Sequence, residues 1–107
     1  MYLEIVTTDV DGVVDMYQRA YGITFDAADA DLGNARVATR GDDLIGIRAP
    51  LAAHEQPIAR TYLVVDDIEH AVTACGGAVA YPPTRQGTRG TFAIVISGGV
   101  QHGLWQR

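Results

Sequence analysis

The sequence repeats its own grammar once, and that repeat constrains the fold more than any other feature. In residues 2–7, β-branched and aromatic side chains alternate as in a strand, Asp9 follows, and Val10, Val13, Val14, Tyr17 and Ala20 or Tyr21 mark one face of a helix. The same order returns 58 residues on (67 minus 9): a strand over 60–65, Asp67, then Ile68, Ala71, Val72 and Cys75 at helical spacing. Each aspartate suits a helix N-cap, where its carboxylate accepts from the free amides of the first turn. Asp11 favours the positive end of the first helix dipole. Gly22 and Gly76-Gly77 supply the stops.

A loop is expected after each helix, followed by two further strands: 34–40 with 43–48, and 90–97 with 100–105. At nearly the same offset, Gly33 matches Gly90 and Gly46-Ile47 matches Gly103-Leu104. The chain therefore reads as one domain of two modules, residues 1–48 and 60–107, joined by a linker over 49–59 that carries Pro50 and Pro57.

Strand parity divides the side chains between two faces. Leu3 and Ile5, like Leu63 and Val65, are expected to pack on the helices, which turns Tyr2, Glu4 and Val6, and Arg60, Tyr62 and Val64, to the opposite face. A face mixing charge, phenol and aliphatic groups resembles a ligand surface more than a dry core. Pairing of Glu4 with Arg60 or with water is the plainer alternative. Arg48 and Trp105 share the parity of Gly46 and Gly103, so Tyr2, Glu4, Arg48, Arg60, Tyr62 and Trp105 form one candidate lining, suited to a carboxylate or an enolate. For Trp105 the alternative is packing at the C-terminal end of the core.

Composition narrows the function classes. With 13 acidic and 8 basic residues the formal charge is −5, and no stretch clusters Lys or Arg with aromatics, so nucleic acid is a poor partner. No apolar run approaches the ~18 residues a membrane span needs, and no signal segment is evident at the start, so a cytoplasmic protein is expected. The single Cys75 excludes an intrachain disulfide and a multi-thiolate zinc site. On an apolar helical stripe, it reads as a buried small hydrophobe. The segment 81–89, with Pro82, Pro83, Arg85, Gly87 and Arg89, reads as an exposed, partly stiffened connection able to cap a site. No Ser/His/Asp or Cys/His arrangement follows from spacing.

Taken in order along the chain, these segments resemble the vicinal oxygen chelate superfamily of glyoxalase I, extradiol dioxygenases and bleomycin resistance proteins. The resemblance rests on Glu4-Ile5-Val6-Thr7-Thr8-Asp9, Met16-Tyr17, Tyr21-Gly22 and Ile45-Gly46-Ile47 in the first half. In the second half it rests on Val64-Val65-Asp66-Asp67-Ile68, Gly76-Gly77, Tyr81-Pro82-Pro83-Thr84, Gly90-Thr91-Phe92-Ala93 and Gly103-Leu104-Trp105. It covers nearly the whole chain, although Ile96-Ser97-Gly98-Gly99 stands where many members carry Asp-Pro.

What the resemblance implies is an α+β fold of two βαβββ modules that form an incomplete eight-stranded barrel around a small-molecule cavity, often as a homodimer. Metal-dependent members place one ligand seven residues before each capping Asp and an acidic ligand near the end of each last strand. Those positions read Tyr2, Gly46, Arg60 and Gly103 here, none a usual metal ligand, and an arginine would put a positive charge where the cation should sit. His54, His70 and His102 fall elsewhere. No metal and no other cofactor is therefore expected.

The two glycines would leave room for a larger ligand, with a bulge or a close strand contact as the alternative. If the protein is an enzyme, Glu4 is the expected general base and Arg60 the stabiliser of developing negative charge, as in a lyase or isomerase. Tyr2, Gly46, Arg48, Tyr62, Gly103 and Trp105 would bind the ligand. The competing reading is a bleomycin-type resistance protein that sequesters a drug, to which the net negative charge would attract a cation.

Overall fold

A computed structural model describes all 107 residues. The chain divides into two compact units, Tyr2–Ala59 and Arg60–Arg107. In the first, strand β1 (Tyr2–Val6) leads to helix α1 (Val10–Tyr21), the short strand β2 (Ala28–Asp29), a single 3-10 turn, and strands β3 (Ala35–Arg40) and β4 (Asp43–Arg48). In the second, β5 (Ile58–Val64) leads to α2 (Ile68–Cys75), β6 (Ala78–Arg85), a second 3-10 turn, β7 (Thr91–Ser97) and β8 (Val100–Gln106). Both βαβββ modules that the resemblance implies are present.

The caps explain where each helix starts and stops. Asp9 accepts from Gly12 N at 3.1 Å, and the Asp67 carboxylate accepts from His70 N at 3.1 Å. Gly22 and Gly76 close the helices with φ of 64° and 69°, left-handed values that glycine adopts without the Cβ penalty. The distance from capping Asp to closing Gly, 13 positions in the first module (22 minus 9) and 9 in the second (76 minus 67), thus sets the helix lengths of 12 and 8 residues.

Within each module the first strand pairs in parallel with the last. β1 runs beside β4 with Tyr2 opposite Leu44, Glu4 opposite Gly46 and Val6 opposite Arg48, and β3 and β2 extend the ladder antiparallel. β5 runs beside β8 with Tyr62 opposite Gly103, and β7 and β6 follow antiparallel. In the first module the helix-facing core is Val14, Phe25, Ala38, Ile45 and Ile47, with Leu3 and Ile5 packed against it as parity predicts. At about 1.5–3 kcal/mol for each fully buried large aliphatic side chain, this cluster supplies much of what holds α1 to the strands.

The structure departs from expectation in three respects. Only loop was expected between each helix and the next two strands, but a further strand lies in each of these segments: the two-residue β2 after a loop in the first module, and the eight-residue β6 almost directly after α2 in the second. Most of segment 81–89 is therefore ladder, and the register shifts around Tyr81 accommodate Pro82 and Pro83, whose missing N–H groups hide the strand from sequence reading. Leu63, expected on the helix, is 62% exposed, because α2 is short and packs over β6, β7 and β8. Cys75 is likewise exposed, as the last residue of that helix.

Candidate functional site

The face of the first module away from α1 carries Tyr2, Glu4 and Val6 from β1 beside Leu44, Gly46 and Arg48 from β4, and all are buried. Among them stands an ionic cluster. Arg48 donates from Nε to Glu4 Oε2 at 3.0 Å, and its terminal nitrogens grip Glu55 in a fork, Nη1 to Oε1 and Nη2 to Oε2, both at 2.8 Å. Nη1 also donates to the carbonyl of Ala49 at 3.1 Å. Arg48 is 5% exposed and Glu4 8%. The hydrogen bond that Arg48 donates to Glu55 leads the effects that raise the Arg48 pKa; burial opposes it and the charge of Glu4 assists it, so the guanidinium stays protonated.

This arrangement corrects the expectation that Arg48 would grip an anionic ligand. Two carboxylates already hold it, one of them in the bidentate geometry a ligand carboxylate would need. The missed partner is Glu55. Nothing in its surroundings betrays it in the sequence, since it is a lone acid in a turn-rich linker and owes its place to the path of that linker back over β4.

The glycines also resolve differently from the roomier of their two readings. A Cβ on Gly46 would run into the Tyr2 side chain, meeting Cε1 at 2.8 Å and Cζ at 2.9 Å and coming closer still to the hydroxyl oxygen. In the second module, a Cβ on Gly103 would lie 2.6 Å from Cγ of Tyr62 and 2.6 Å from the Thr61 carbonyl. Tyr2 and Tyr62 are 2% and 5% exposed. Each glycine therefore seats a tyrosine ring from the adjacent parallel strand, so the close strand contact is the reading that holds.

On the corresponding face of the second module, Tyr62 meets Phe92 edge-on with centroids 5.4 Å apart, and Phe92 stacks on Trp105 at 5.5 Å. Trp105 is buried, donates from Nε1 to the Arg89 carbonyl at 2.8 Å, and carries the Arg107 guanidinium over its ring. It serves the packing of this face. Arg60 donates from Nε to Gln101 Oε1 at 3.0 Å and from Nη1 to the Tyr62 hydroxyl at 3.4 Å.

These residues do not fit a metal centre. Glycine offers no side-chain donor at two of the four positions, a tyrosine ring fills the space beside each, and Arg60 brings positive charge to a third. No group of three or more His, Cys, Asp or Glu side chains converges as a ligand set. His102 instead lies 3.1 Å from the Ser97 carbonyl through Nε2.

No family model matches the sequence, and no curated protein matches it. Solved structures do match. A hypothetical protein of Bacillus halodurans shares 15% identity over 99% of this chain and 91% of its own, with a TM-score of 0.74. Methylmalonyl-CoA epimerase from Mycobacterium tuberculosis shares 18% identity over 98% of this chain and 85% of its own, with a TM-score of 0.72. A variant of the Streptomyces coelicolor methylmalonyl-CoA epimerase, in complex with 2-nitronate-propionyl-CoA, shares 18% over 98% and 94%, with a TM-score of 0.67. The epimerases belong to the superfamily that the sequence motifs resemble. With both βαβββ modules in place and this likeness spanning nearly every residue, the chain has the vicinal oxygen chelate fold.

Proposed function

We propose that this protein is a metal-free member of its fold class that binds a small organic carbonyl compound and acts on it through Glu4. The observation that carries the reading is a buried carboxylate at the middle of a core strand, 3.0 Å from a buried guanidinium. Taking two charges out of water costs several kcal/mol per ion before pairing offsets it, and well-packed apolar residues would often serve stability as well or better. A charged group kept in such a place is a candidate for chemistry or recognition.

The reaction class follows from what a fixed carboxylate can do. Glu4 accepts a proton from the carbon next to the carbonyl, the electron pair of the C–H bond moves into an enolate, and the same carboxyl returns the proton to that carbon. The epimerases of similar fold are recorded with CoA thioesters, which makes methylmalonyl-CoA a reasonable first probe. A homodimer in the cytoplasm is the setting we assign to it; the single cysteine suits a reducing compartment.

A thermal-shift panel of methylmalonyl-CoA, small carboxylates and a bleomycin-type glycopeptide tests the reading, because a ligand bound only by the native state raises the midpoint. A stabilising thioester or carboxylate should then gain deuterium from D2O at the carbon next to its carbonyl, and Glu4→Gln should stop that exchange while sparing binding. The net charge of −5 favours a second reading, sequestration of a cationic drug. If only the glycopeptide stabilises the protein, catalysis through Glu4 is lost and sequestration stands.

A further inference from the structure

The linker contributes more than a connection. Glu55 lies seven residues beyond Arg48, and its Oε1 also accepts from Leu51 N at 2.8 Å, while Glu55 N donates to the Ala52 carbonyl at 3.0 Å. The carboxylate therefore closes a tight turn of the linker and clamps it to the end of β4. Arg48 could have met Glu4 through two nitrogens, the usual geometry of an arginine–carboxylate pair. Instead the paired face of the guanidinium is taken by Glu55, and Glu4 is reached through Nε, on the edge of the fork.

We propose that Glu55 is the positioning residue of this cluster: by holding both terminal nitrogens of Arg48 it fixes the plane of the guanidinium and so aims the carboxylate of Glu4. The inference rests on the reading of Glu4 as the group that meets the ligand. The physical reason is rigidity. A guanidinium held at three nitrogens by Glu4, Glu55 and the Ala49 carbonyl cannot turn about its long side chain, whereas one held only through Nε can. Fixing a reactive group through a supporting hydrogen bond keeps its geometry from loosening.

NMR of the full chain tests this without any ligand. In the wild type, the fork predicts slow rotation about the Arg48 Cζ–Nη bonds, with separate signals for its terminal N–H groups, and a Nε–H protected from exchange. Glu55→Gln keeps the size of the side chain and removes one acceptor; it should speed exchange of the Arg48 Nε–H by about tenfold or more and shift the Glu4 carboxyl carbon signal, with the backbone spectrum otherwise retained. A folded Glu55→Gln protein in which both signals stay unchanged overturns the proposal. If that variant does not fold, the wild-type measurement decides, since freely averaged terminal N–H signals of Arg48 also overturn it. Failure of the functional reading has a different signature: the Arg48 and Glu4 signals respond as expected, but no probe in the thermal-shift panel binds.

Discussion

Replacing Gly46 by alanine should destabilise the first module through one identifiable collision. The new Cβ would meet Oη, Cε1 and Cζ of Tyr2 at or below 2.9 Å, and Tyr2, at 2% exposure, has no open space to enter. Overpacking of this kind costs about 1–3 kcal/mol. Gly46 has no left-handed φ, so alanine also recovers about 0.5–1 kcal/mol by restricting the unfolded chain. The net expectation is a loss of about 1–2 kcal/mol, with urea unfolding followed by far-UV circular dichroism as the assay.

The cause is isolated by Tyr2→Leu, which removes all three of the atoms that collide. In that background Gly46→Ala should become neutral or mildly stabilising, a coupling of about 1–3 kcal/mol, within the range seen for residues in contact. At Gly103 the same manoeuvre should fail, because its Cβ also meets the Thr61 carbonyl, and backbone does not yield when Tyr62 is shortened. An equal cost of Gly46→Ala in both backgrounds, to within about 0.5 kcal/mol, would refute the account of glycine as a seat for the ring.

Three further outcomes can be checked. Arg48→Met should cost about 3–5 kcal/mol by leaving the buried Glu4 and the partly buried Glu55 carboxylates without their cation, and adding Glu4→Met and Glu55→Gln should recover most of it, as read from chemical denaturation. The one tryptophan should emit as a buried indole resistant to acrylamide in the native protein, and Trp105→Ala should cost about 3–5 kcal/mol. Cys75 should react with a thiol reagent in the folded state, one equivalent per chain; a reagent that reacts only after unfolding would contradict its exposure.

Much of the fold was legible in the sequence because its signals are local. The aspartate caps, the glycine stops and the alternation of β1 are read within a few residues, since a cap bond spans three residues and a pleat repeats every two. Parity alone placed Glu4, Gly46 and Arg48 on one face and Leu3 and Ile5 on the other. Tertiary structure decided what those residues do there. Arg48 and Glu4 are 44 positions apart, and their bond depends on the register of β1 against β4. Whether the glycines gave space or contact depended on which ring the neighbouring strand laid over them. Glu55 joined the cluster through the course of a linker with no periodicity to read, β6 formed despite two prolines because β7 offered it an edge, and Cys75 was left in water by the shortness of α2. What a residue prefers is set by its near neighbours along the chain, but what it touches is set by the register and packing of segments far from it in sequence.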